Sequence, residues 1–211
     1  MGLSGLVGSA DDKPKPVPAQ EPELRCELLR RTKADQEARA AWNQWMKDHG
    51  SNGIVNLDAL TKEKRVEFEK VAAKMNGVDA DNTTWLKGVV EKHGWPTNTL
   101  VGADGADAAW LLVQHADADP KFQRRCLDLM AKLPKNEVSQ PNLAYLTDRV
   151  LLAEGKKQLY GTQFIGVDGQ WKVRPLEDEA NVDKRRAEVG LPPLAEYTKQ
   201  LEQQLGSNPR K

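Results

Sequence analysis

Cysteine is scarce in this chain. There are two, Cys26 and Cys126, in 211 residues. Two thiols make no disulfide framework; they form one bridge in an oxidising compartment or sit as small hydrophobes in helices. Histidine is also scarce, with three copies at 49, 93 and 115. No apolar run approaches the roughly 20 residues of a membrane span. No sign of charge dominates: Lys plus Arg equals Asp plus Glu at 31 each, which argues against a nucleic-acid-binding or membrane-surface field. Glycine-rich phosphate loops, HExxH, CxxC and GxSxG are all missing, and the common nucleotide, zinc-protease and serine-hydrolase chemistries go with them. No internal repeat is found.

What is present is helical periodicity. Residues 1–21 carry Pro14, Pro16 and Pro18 and read as a polar, extended tail. Within it, Gly8 and Ala10 suit a signal-peptidase cut before Asp11, so export is favoured over a cytoplasmic location, although no charged segment precedes them. Residues 22–205 then read as one domain, and 206–211 as a frayed end.

Glu23–His49 is expected as a long helix stopped by Gly50, with Leu24, Leu28, Ala38, Trp42 and Trp45 on its apolar stripe and Asp35 and Arg39 spaced to pair. A second helix is expected from Asp58 or Thr61 to about Met75, ended by Asn76-Gly77, and a third over Asp79–His93. Gly102–Gly105 reads as a turn, followed by helices over Ala106–Ala116, Pro120–Leu133 and Pro141–Ala153. Tyr160–Val167 and Gln170–Arg174 are rich in strand formers and flank Asp168-Gly169, a hairpin signal. Two more helices, Asp178–Val189 and Pro193–Leu205, complete the chain. The expected class is mainly α, six to eight helices with one late β-hairpin.

Two polar clusters stand out against this frame. The first ends the apolar run at Leu111–Asp119 and contains Gln114, His115 and Asp117. On helical spacing Gln114 and Asp117 share a face, and His115 projects about 100° away. The second is Gln158 with Tyr160-Gly161-Thr162-Gln163. It offers a phenol, a hydroxyl, amides and a glycine that lets another group approach the backbone. Strand alternation would put Tyr160 and Thr162 on one face and Gln163 on the other. Between the clusters in sequence lies Asp148-Arg149, whose arginine suits a carboxylate or phosphate. Asp183, Lys184, Arg185 and Arg186 form a charge run that reads as a solvated face.

These motifs also carry a resemblance. Gly94-Trp95-Pro96, Gln114-His115-Ala116-Asp117, Asp148-Arg149, Gln158 with Tyr160-Gly161-Thr162-Gln163, Gly190-Leu191 and Tyr197 resemble a bacterial family of unknown function over roughly residues 24–200. The resemblance implies a shared fold and a shared site, and no activity.

Three functions are consistent with the residues. In an enzyme without cofactor or metal, His115 moves a proton on a small polar or peptide-like substrate. Asp117 or Asp148 orients it, Tyr160 assists, and Gln114, Asp148, Arg149, Gln158, Thr162 and Gln163 bind. In a binding module the same groups form a ligand pocket without chemistry. In a structural protein they are internal hydrogen-bond networks. The expectation is that both clusters line one concave site with Arg149 close by.

Overall fold

The computed structural model describes residues 18–50, 55–167 and 170–205. The expectations for the tail, its cleavage site and the Asp168-Gly169 turn lie outside the described residues, apart from the tail's last few. Helix makes up 70% of the described residues.

α1 runs from Pro22 to His49, with Pro22 in its first turn, where a missing N–H costs no hydrogen bond. It buries Leu28, Asp35, Ala38 and Trp45 along one face. α2 spans Lys62–His93 without interruption. Thr61 caps it, its hydroxyl accepting from the Lys64 N–H. The break expected at Asn76-Gly77 does not occur. Helical glycine costs only about 1 kcal/mol relative to alanine, and the C-terminal half of α2, through Leu86, Val89 and Val90, is anchored in the core. Gly94 ends α2 with φ 73°, and Trp95 packs into the core behind it.

α3, Asn98–Gln114, is bent at Gly102, whose φ of 75° is open to glycine at little cost. The turn expected there is thus a kink inside a helix that starts earlier, at a Thr97 cap. The Arg25 side chain of α1 lies against Gly102 and pairs with Asp104. α4, Pro120–Met130, and α5, Gln140–Ala153, begin under Asp119 and Ser139 caps. α1, α2 and α3 pack on one another, and α4 and α5 pack together against α3. The core between them is built from Leu28, Leu86, Val101, Leu112, Val113, Cys126, Met130 and Leu146.

The hairpin follows: β1, Phe164–Val167, pairs antiparallel with β2, Gln170–Val173, in the register Phe164 to Val173. Tyr160–Gln163, expected in the first strand, is a loop. Its backbone donors are already taken. Asp148 accepts from the N–H groups of Leu159, Tyr160 and Thr162, and the Gln158 side chain accepts from Gln163. The alternating faces expected of a strand therefore do not exist there.

α6, Val182–Glu188, and α7, Leu194–Leu205, close the fold. The charge run on α6 is a solvated face only at Asp183 and Lys184, which are exposed; Arg185 and Arg186 turn inward. Arg186 is 0% exposed, donating from Nε to the Pro192 carbonyl and from Nη1 to that of Tyr160. Arg185 donates to the carbonyls of Leu159, Glu177 and Asp178. The loop's carbonyls need donors that water cannot supply once α6 and α7 cover it, and only long side chains reach them. The cysteines are not bridged; Cys26 is exposed, contrary to a reading of both as buried, and Cys126 is in the core.

Candidate functional site

The QHAD stretch splits at the end of α3. Gln114 and Asp117 turn toward α5, and His115 turns toward α1 and α2.

On the α5 side, Arg149 donates from Nε to Gln114 Oε1 at 2.6 Å and from Nη1 to Asp117 Oδ1 at 2.8 Å. Gln123 on α4 is 1% exposed and gives its Nε2 to the Val113 carbonyl at 3.0 Å and to Asp117 Oδ1 at 3.1 Å. Asp117, Gln123 and Arg149 line a cavity of about 320 Å³ with Pro120, Leu152, Ala153, Gln163 and Arg174. Three sequence-expected residues, Asp117, Arg149 and Gln163, thus meet at one concavity.

A second layer sets the position of that wall. Asp148 is fully buried and its carboxylate accepts from three backbone N–H groups and the Thr162 hydroxyl, at 2.7–3.2 Å. A carboxylate surrounded by donors in this way is a strong clamp. Gln158, also fully buried, donates from Nε2 to the carbonyls of Gln163 and Arg174 and accepts at Oε1 from the Gln163 N–H. The Arg174 N–H returns a bond to the Gln163 carbonyl at 3.0 Å. Asp148, Gln158 and Thr162 thus hold the loop, and Gln163 and Arg174 project from what they hold. Gly161, φ 66°, does permit a close approach, and the group that uses it is Leu194 of α7: a Cβ there would lie 2.9 Å from its Cδ1. Tyr160 is half-buried and does not line the cavity. Burial, then the Asp148 and Glu188 carboxylates, push its phenol up.

His115 has other partners. Its Nδ1 lies 2.8 Å from Oδ1 of Asp35 and 2.9 Å from Nε of Arg39. With a proton on Nδ1 the ring donates to Asp35; with Nδ1 bare it accepts from Arg39. Arg39 Nη2 donates to Asp79 at 2.7 Å. The orienting carboxylate is therefore Asp35, where Asp117 or Asp148 was expected. Burial pushes the Asp35 carboxyl up, but hydrogen bonding and charge from His115, with help from Gln36 and Arg39, hold it below its ordinary value. Asp79 goes the other way, raised by burial against the pull of Arg39. His115 Nε2 has no hydrogen-bond partner among the described residues.

Asp35, Asp79 and His115 place one ligand atom each within 4.8 Å of one another, a set that could hold a metal ion. Arg39 bonds to all three side chains or lies within ion-pair reach of them, and its guanidinium supplies the positive charge a cation would bring. Sequence reasoning paired Asp35 with Arg39 but joined neither to His115, because the contact spans 80 residues. It missed Gln123 and Arg174, which sit in unremarkable local sequence; the strand ending before Pro175 was the one available hint.

Together these features define a mainly helical protein with one late two-stranded antiparallel hairpin. The chain belongs to DUF6624, a family of unknown function whose sequence profile matches residues 22–209. No curated protein and no solved structure matches it. Among the described residues no helix is long and apolar enough to cross a membrane.

Proposed function

We propose that this protein binds a small polar molecule in the cleft between α4, α5 and the hairpin. Asp117, Arg149 and Gln163 make the contacts, and Gln114, Asp148, Gln158 and Thr162 hold them in place. The observation that carries this reading is convergence: polar side chains from the end of α3, from α5 and from the segment before β1 face one cavity. Each is held by a buried partner, Asp117 by Gln123, Arg149 by Gln114 and Gln163 by Thr162. Small-ligand sites are concavities of about 300–1,000 Å³ in which a few placed polar groups fix the ligand's orientation. The test is native mass spectrometry after incubation with a metabolite extract. A retained small molecule, lost in Arg149→Gln and Gln163→Ala while their melting temperatures hold, supports the reading. No retained molecule, or retention unchanged in both variants, overturns it.

A second reading keeps His115 as a proton carrier, and one observation favours it: a buried carboxylate on Nδ1 with Nε2 unpaired is how an acid–base imidazole is oriented. In this version Asp35 takes the orienting role. Its test is consumption of any component of the same extract by the wild type and not by His115→Gln. If nothing is consumed, or the variant consumes it equally, His115 is structural.

A further inference from the structure

We infer that the cleft selects a small organic anion that also carries an N–H or O–H donor, and that Arg174 reads the charge. This rests on the cleft being the binding site.

The charges at the cavity do not balance within the protein. Two arginines, Arg149 and Arg174, line the cavity with one carboxylate, Asp117. Asp117 already accepts from Arg149 Nη1. The Arg174 guanidinium has no partner among the described residues. Arg149 has spent Nε and Nη1 and keeps Nη2. The cleft therefore presents one fully unpaired guanidinium and one spare donor, the fork-like arrangement that suits carboxylate or phosphate oxygens.

Arg174 is also the better placed of the two to discriminate. Its N–H and carbonyl are both tied, to Gln163 and to Gln158, so its exposed charge stands on a fixed backbone. Little ordering entropy remains to be lost except in the side chain itself.

The acceptors in the cleft set the rest of the ligand. Gln123 spends Nε2 on three oxygens of the protein, which fixes its amide with Oε1 as the free end. Gln163 gives Nε2 to the Thr162 hydroxyl, which likewise leaves Oε1. No donor reaches either oxygen among the described residues. Two amide oxygens beside two guanidiniums match a molecule with an oxyanion at one end and a hydroxyl, amine or amide N–H at the other, such as a hydroxy acid, an amino acid or a phosphorylated small alcohol. The size of the cavity limits this to a small molecule.

The experiment uses the full chain, side-chain NMR of arginine Nε–H and glutamine NH2 groups, and three probes at low ionic strength: L-malate, glycerol 3-phosphate and the neutral polyol threitol. Saturable shifts at Arg174 and Gln163 with malate or glycerol 3-phosphate, and none with threitol, are expected. The probe that binds tells carboxylate from phosphate. Arg174→Gln should weaken that binding about tenfold or more, with the melting temperature unchanged because the side chain is exposed. Equal binding by the variant, or threitol binding as well as the anions, overturns the inference. If the anions do not bind while the extract yields a neutral ligand lost in Arg149→Gln, the anion inference falls and the cleft stands. If no probe and no extract component shifts these groups, both fall.

Discussion

At the scale of residues, adjacent side chains have been given unlike work. Asp148 faces inward and gathers the loop; Arg149, one residue on, reaches the cleft. Asp148→Ala would leave three backbone N–H groups without their acceptor and should cost roughly 3–5 kcal/mol by urea denaturation. Arg149→Gln, breaking a half-exposed pair, should cost less than about 1 kcal/mol. Comparable losses for the two would mean that the cleft is merely part of the loop's support. Asp35 gives a pH prediction. Its carboxyl is held below the ordinary 3.8, so the folded state binds fewer protons than the unfolded chain in that range, and stability falls as pH drops through it. Asp79, raised, works in the opposite sense and partly offsets this. Unfolding measured at pH 5 and pH 3 should therefore show a smaller acid loss in Asp35→Asn than in the wild type. An equal loss would show that the His115 pairing contributes nothing. Three cleft residues were legible from sequence because a polar cluster after an apolar run needs explaining. Arg174 and Asp35 were not, because an exposed arginine and a helical aspartate look ordinary until the fold sets one at the cavity and the other against His115.

At the scale of elements, glycine separates what local sequence decides from what packing decides. Asn76-Gly77 has the composition of a helix end, yet α2 runs through it, because the flanking turns are anchored on α1 and α3. A Cβ at Gly77 would meet nothing within 4 Å, so Gly77→Ala should raise stability by about 0.5–1 kcal/mol, seen as a higher urea midpoint. Gly161→Ala should do the reverse, since φ is positive and Leu194 already occupies the space. If Gly77→Ala destabilises, α2 is not one helix in solution. The hairpin, the opening of α4 at Pro120 and Thr61 as one of two candidate starts for α2 were readable because turn and cap chemistry is local. The loop at 160–163 was not, because its shape is imposed by an aspartate on another helix.

At the scale of the whole molecule, the class of fold followed from periodicity, whereas the covering of the loop by α6 and α7 did not. A run of Asp, Lys, Arg and Arg gives no sign that one member will be fully enclosed. The two thiols offer a readout of global opening. Burial pushes the Cys126 thiol up to about 12, while Cys26 is exposed. In native protein at neutral pH, iodoacetamide should label Cys26 alone by mass spectrometry, and Cys126 should follow only at the rate of unfolding. Rapid double labelling would mean that α4 opens locally.

The division at the end of α3 has one more consequence. Gln114 and His115 share a peptide plane, with Arg149 holding one and Asp35 the other. That plane is a lever with its arms in two charged clusters. A ligand that draws Arg149 from Gln114 would turn the terminal residues of α3 and change the Asp35–His115 distance. The coupling should run both ways: cleft occupancy should move the His115 ring resonances, and Asp35→Asn should change ligand affinity. Both are readable by NMR, and His115 resonances that ignore a saturated cleft would show that the lever is rigid.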